Sequence, residues 1–145
     1  MNEIVKKEDC CGCHACFNAC PKGAITMEED DKGFRYPKID SKKCIDCGLC
    51  KRVCPVLKNT MLKTETKAYA CYNLNEQERK DSSSGGIFIL LAKEVLRRNG
   101  VVFGAAFDDN FVVKHIKITT EKDLVKLMGS KYVQSTIGTT YREVK

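Results

Sequence analysis

The chain is 145 residues long, 43% apolar and 30% charged, the make-up of a folded protein of one or two small domains rather than a disordered tail. Its formal charge of +6 is spread without a compact Lys/Arg block, which leaves nucleic-acid and membrane-surface binding without a footprint. Apolar runs such as Val101–Phe107 fall far short of the roughly 20 residues of a membrane span.

The ten cysteines would suit a disulfide-stapled secreted scaffold. Yet the opening residues, MNEIVKKEDC, contain no apolar signal core, so reduced thiols in the cytoplasm are expected.

In chain order, the first predicted element is a cysteine loop. The run Cys10-Cys11-Gly12-Cys13-His14-Ala15-Cys16-Phe17-Asn18-Ala19-Cys20-Pro21 returns as Cys44-Ile45-Asp46-Cys47-Gly48-Leu49-Cys50-Lys51-Arg52-Val53-Cys54-Pro55. Both copies read C-x2-C-x2-C-x3-C-P. Between them, Ala24–Glu29 and Phe34–Ile39 predict two strands around the turn Asp30-Asp31-Lys32-Gly33.

Residues 59–66, polar and rich in Lys and Thr, read as a linker. Beyond it, Lys67–Tyr72 predicts a strand with Cys71 as a buried small side chain. Gly85–Asn99 predicts a helix with Phe88, Leu91, Ala92, Val95 and Leu96 on one face, an N-cap from Ser82–Ser84 and a stop at Gly100. Strands follow at Val101–Phe107 and Val112–Ile118, then a helix at Glu121–Met128 capped by Thr120. Residues 137–145 look like the start of another helix. The expected fold class is α+β: a dicluster ferredoxin-like module over 1–58, the linker, and at 67–145 the N-terminal part of an α/β domain. The series breaks off as a piece of a larger domain would.

The repeated motif carries the chemistry. Each iron of a cubane cluster takes a soft thiolate, so four irons call for four cysteines. Three cysteines at x2 spacing wrap three corners of one cube, and Gly12 and Gly48 let the backbone come close. In two-cluster ferredoxins the fourth cysteine ligates the other cluster. The expected sets are therefore Cys10, Cys13, Cys16 and Cys54 for the first [4Fe–4S] cluster, and Cys44, Cys47, Cys50 and Cys20 for the second. Zinc needs four ligands per site and would leave the x2-C-x3-C-P extension without purpose. Each oxidised cluster with its thiolates carries about −2, so two of them bring the charge down to roughly +2. The basic composition then reads as compensation for the cofactor.

Two cysteines fall outside the pattern. Cys11 is a bystander thiol or a substitute for Cys10, the former being favoured; Cys71 belongs to the predicted strand. His14 stands where the second copy has Gly48. It either tunes the first cluster by hydrogen bonding or is a solvated loop histidine, and the latter is the expectation.

Ser83-Ser84-Gly85-Gly86 at a helix start has two readings from the residues alone. One is an anion site built on free N–H groups and the helix dipole; the other is a cap followed by tight packing. The longer pattern adds to this. That run with Ile87-Phe88, then Gly100-Val101-Val102-Phe103-Gly104-Ala105-Ala106-Phe107, then Met128-Gly129-Ser130-Lys131-Tyr132-Val133-Gln134-Ser135, resembles the beta-subunit family of coenzyme F-420 hydrogenases and dehydrogenases. Members of that family also begin with dicluster ferredoxin modules.

The resemblance implies a flavin-dependent iron–sulfur oxidoreductase. Electrons would pass between the clusters and FAD, and FAD would exchange hydride with coenzyme F-420 or another donor or acceptor. It implies that Ser84, Gly85 and Gly86 hold a phosphate, that Lys131 offsets charge on the reduced flavin or phosphate, and that a redox partner protein or subunit completes the path. No catalytic residue is assigned. Family members continue for a further domain's length, which implies that this stretch alone lacks a complete active site. The alternative class is a stand-alone ferredoxin-like carrier or relay with a partner-docking appendage, which would hold no flavin.

Overall fold

The computed structural model describes residues 3–58 and 66–144, so the expected linker, apart from Thr66, lies outside the described residues. Two compact units are present, one combining the N-terminal part with the stretch from Ile137, the other ending at Thr136. Helices are short and each sheet is a two-stranded antiparallel pair, an α+β fold.

In the first unit, a 3-10 turn at Lys7–Asp9 precedes the first cysteine loop. Helix α1 (Ala15–Ala19), strands β1 (Ile25–Glu29) and β2 (Arg35–Ile39), and helix α2 (Leu49–Arg52) follow. The strands pair from Ile25 opposite Ile39 to Glu29 opposite Arg35. Asp30 closes the turn by accepting the N–H groups of Lys32 and Phe34, each at 3.0 Å. Buried Ile4, Ile25 and Cys54 pack with Phe17 and Ile39 and with Cys16, Cys20 and Cys50. Four of the side chains in this core are cysteines, so aliphatic burial in so small a unit is limited.

Helix α6 (Thr140–Val144) belongs to this unit, whereas 137–145 was expected to continue the α/β part. The reason is hydrogen bonding to helix α1. The Asn18 amide donates to the Gly138 carbonyl at 2.8 Å, and Arg142 donates to the Asn18 carbonyl at 3.0 Å.

The second unit opens without the strand expected at Lys67–Tyr72, and Cys71 is exposed rather than buried. The Asn73 N–H donates to the Gly85 carbonyl at 2.7 Å, one link in place of a ladder. Helix α3 (Glu76–Lys80), not foreseen, starts at Asn75, whose side chain accepts from the Glu78 N–H at 3.1 Å.

Helix α4 spans Ile87–Arg97, two residues later than expected at its start. Gly86 precedes it with φ of 74°, and no side chain caps it. The serine cap therefore gives way to a left-handed turn suited to glycine. The buried face is Ile89, Ala92 and Leu96, while Phe88, Leu91 and Val95 of the expected inner face are exposed.

Strands β3 (Val102–Phe107) and β4 (Val113–Ile118) pair from Val102 opposite Ile118 to Phe107 opposite Val113. Their turn is held by Asp108, which accepts the N–H groups of Asn110 and Val112 at 3.0 and 2.9 Å and pairs with Lys114 at 3.2 Å. Thr136 bridges to Lys114 in parallel. The helix expected at Glu121–Met128 is a 3-10 turn (Glu121–Asp123) running into α5 (Leu124–Leu127). There the Thr120 hydroxyl donates to the Asp123 carboxylate at 2.7 Å instead of capping the backbone. Ile89, Ala92 and Leu96 pack with Ala106, Ile118, Leu124 and Leu127 in the core of this unit.

Candidate metal centres

The two cysteine loops share a backbone signature that their residue types hide. Gly12 and Asp46, at matching positions, have φ of 60° and 52°; His14 and Gly48, also matching, have 60° and 69°. Each loop thus turns left-handed on both sides of its second cysteine, with one glycine and one other residue. Asp and His are among the side chains that tolerate this region. Alternating left-handed turns fold successive N–H groups inward and make a concavity for negative charge. A short helix then starts in each copy, carries the third cysteine, and delivers the fourth just beyond its end.

Two cavities result. One is walled by Cys44, Cys47 and Cys50 with Cys20 from the other repeat. The second is walled by Cys10, Cys13 and Cys16 with Cys54 from the other repeat, and also by Cys11. Apolar Ile25, Ile39 and Leu49 close the former, and Ile4, Val5 and Pro55 the latter. Among the described residues, no three or more His, Cys, Asp or Glu side chains gather closely enough to hold a single metal ion; the thiols are spread over cavity walls.

The surroundings of the sulfurs suit anionic thiolates held by a cation. The Ala24 N–H donates to Cys20 Sγ at 3.2 Å. Burial pushes the Cys16 thiol up to about 11 and neighbouring thiols push the same way, against an opposing N–H from Phe17. Burial likewise raises Cys13, against the N–H of Ala15. The thiolate is thus costly here until a metal centre supplies positive charge and displaces the protons. Iron in a cluster fits this donor set.

His14 departs from expectation. It is 3% exposed, starts α1, and packs edge-on against Phe17 with ring centroids 6.2 Å apart. It is a wall residue of the first cavity, not a solvated loop residue. Asn18, Tyr141 and Arg142 lie on the first unit with no sequence signal to announce them, because 120 or more residues separate the bonded partners.

In the second unit, residues 82–86 with Cys71 and the Leu127–Ser130 stretch enclose a cavity of about 370 Å3 in front of α4. Ser83 Oγ accepts the Ser130 N–H at 2.7 Å and ties the two walls together. Ser84, Gly85 and Gly86 line this cavity. Gly85 also packs closely, since a Cβ there would lie 3.1 Å from the Cys71 carbonyl. Lys131 is not on the wall. Its ammonium donates to the carbonyls of Met128, Gly129 and Lys126 at 2.6, 2.9 and 3.3 Å, closing the end of α5. Partial burial lowers its pKa.

Comparison with known proteins gives the following. Residues 9–57 match the 4Fe-4S dicluster domain family. The chain is 21% identical, over 97% of its length, to a subunit of the F(420)H(2) dehydrogenase of Methanosarcina mazei, covering 43% of that protein. It is 29% identical, over 94% of its length, to the coenzyme F420-dependent sulfite reductase of Methanocaldococcus jannaschii, covering 22% of it. An uncharacterized ferredoxin of the latter organism is 38% identical over 36% of the chain and is covered to 66%. The chain therefore spans less than half the length of the two relatives that it matches nearly end to end.

Proposed function

From the premise that residues 9–57 are a 4Fe-4S dicluster electron-transfer domain, we propose that this chain is the electron-carrying part of a flavin-dependent oxidoreductase of the coenzyme F-420-linked kind. The first cluster takes Cys10, Cys13, Cys16 and Cys54, and the second takes Cys44, Cys47, Cys50 and Cys20. The observation that carries this is the crossed composition of the two thiol cavities. When bound, each cluster takes up and releases one electron at a time. The chain's own work is to hold four thiolates per site, to aim N–H groups such as that of Ala24 at the sulfurs, and to keep water off them with Ile25, Ile39 and their neighbours. Ten free thiols suit a reducing, cytoplasmic setting. Among the described residues no helix is long and apolar enough to cross a membrane.

In the second unit, Ser84, Gly85 and Gly86 form an FAD phosphate site at the start of α4, where unpaired N–H groups and the helix dipole favour an anion. Lys131 contributes there by closing the loop that carries Ser130 and not by direct contact, since its ammonium is engaged by three carbonyls. F-420, or another hydride donor or acceptor, and a redox partner subunit complete the reading by analogy with the longer relatives. A flavin-free relay is the second reading, favoured by the packing role of Gly85.

Titration of the full-length protein, reconstituted anaerobically, with FAD, followed by flavin fluorescence, separates them. Ser84→Glu places a carboxylate where the phosphate sits, so it is expected to abolish FAD binding and leave iron content unchanged. Gly85 is the wrong position to probe, because any side chain there meets the Cys71 carbonyl first. Absence of FAD binding by the wild type defeats the flavin reading and leaves the relay.

A further inference from the structure

Helix α1 is the mechanical link between the two thiol cavities. It carries Cys16, on the wall of one, and ends at Cys20, on the wall of the other. With five residues it has almost no hydrogen-bonded interior, and most of its carbonyls need partners from outside. The stretch after Ile137 supplies two of those partners. Arg142 Nε donates to the Asn18 carbonyl at 3.0 Å and a terminal nitrogen donates to the Phe17 carbonyl at 3.3 Å. The same guanidinium lies 5.7 Å from the centre of the Phe17 ring. In return, the Asn18 amide donates to the Gly138 carbonyl at 2.8 Å and to the His14 carbonyl at 3.0 Å. Arg142 and Tyr141 share an open cavity of about 600 Å3 with Cys20 and Val53.

We propose that Arg142 is a positioning residue of the iron–sulfur unit that locks α1 between the two cluster sites and, by its fixed positive charge, raises their reduction potentials. This rests on the crossed ligand sets proposed above. The guanidinium stays protonated at any working pH, and its planar fork is matched to two adjacent carbonyls in a way that a lysine cannot reproduce. A cluster becomes more negative on reduction, so a nearby cation stabilises the reduced form over the oxidised one and shifts the potential upward. Arg142 is exposed, so salt screens part of this effect.

The test is a redox titration of the full chain, reconstituted anaerobically with iron and sulfide and followed by electron paramagnetic resonance, with iron measured on the same samples. Arg142→Gln keeps an amide donor and removes the charge. It is expected to retain the wild-type iron content and to show lower midpoint potentials. Arg142→Lys keeps the charge and loses the fork; its potentials are expected to stay close to wild type, while its clusters bleach faster under a chelator. Raising ionic strength is expected to lower the potentials of the wild type more than those of Arg142→Gln.

Full iron with unmoved potentials in Arg142→Gln overturns this inference and leaves the ligand assignment standing. If Arg142→Gln fails to load iron, Arg142→Lys decides: wild-type potentials support the inference, and lowered ones overturn it. Failure of the wild type to hold two clusters is a separate result, read from its iron content, and strikes the ligand assignment itself.

Discussion

At the residue scale, Cys11 puts a fifth thiol on the wall of the first cavity, beside Cys13. Only Cys10 keeps the x2 spacing to Cys13 that the second loop also uses, and Cys11 is the more exposed of the two. Cys11→Ser is therefore expected to leave both clusters intact by iron content and paramagnetic resonance, while Cys10→Ser loses one; the reverse pattern would mean that the neighbour is the ligand. Asp108 offers a test of a different kind. The N–H groups of Val112 and Asn110, with Lys114, hold its carboxyl below the ordinary value of 3.8. A lowered folded-state pKa means that stabilisation is complete above the unfolded value and is lost as pH falls through the lower folded value. Asp108→Asn is expected to lower the thermal midpoint of the β3–β4 unit at neutral pH, and the gap from wild type is expected to narrow below 3.8. A gap independent of pH would assign Asp108 a role without its charge. The spacing of eight cysteines was legible at this scale, but the burial of His14 was not. A single letter in a loop motif says nothing about which side chains close over it, and Phe17 and the cavity wall do so here.

At the element scale, α4 shows where periodicity stops being informative. A continuous apolar run, Ile87 to Ala92, admits more than one inward face at helical spacing. Ala92 and Leu96 belong to both faces; the choice of Ile89 over Phe88, Leu91 and Val95 beside them is made by β3, β4 and α5, which supply Ala106, Ile118, Leu124 and Leu127 as partners. Ile89→Ala should accordingly cost about 2–5 kcal/mol of stability in denaturant unfolding, while Leu91→Ala, at a position 64% exposed, should stay within about 0.5 kcal/mol. Equal losses at the two positions would show that the exposed face is covered in solution. The boundaries of β3 and β4 were readable to within one residue because turn residues bound them, whereas the strand expected at Lys67–Tyr72 is absent. The start of α4 was not, since Gly86 turns left-handed and displaces the serine cap.

At the scale of the molecule, the cluster unit is assembled from both ends of the described chain. The repeats supply the thiols, and the stretch after Ile137 supplies Asn18 and α1 with their outside partners. Composition and spacing point to the former because ligand chemistry fixes them. Nothing in sequence marks the latter, a set of single hydrogen bonds over a long separation. In the first cavity, burial holds the Cys16 and Cys13 thiols against ionisation, which links cluster binding to the folding of that site. Removal of iron by a chelator should then loosen the first unit's core, where Cys16, Cys20, Cys50 and Cys54 pack. The central claim is that two cubane clusters fill the two cavities, and elemental analysis tests it most directly. Anaerobically prepared chain should contain about eight iron and about eight acid-labile sulfide per molecule; stoichiometric zinc with little iron, or about four iron with four sulfide, would contradict it.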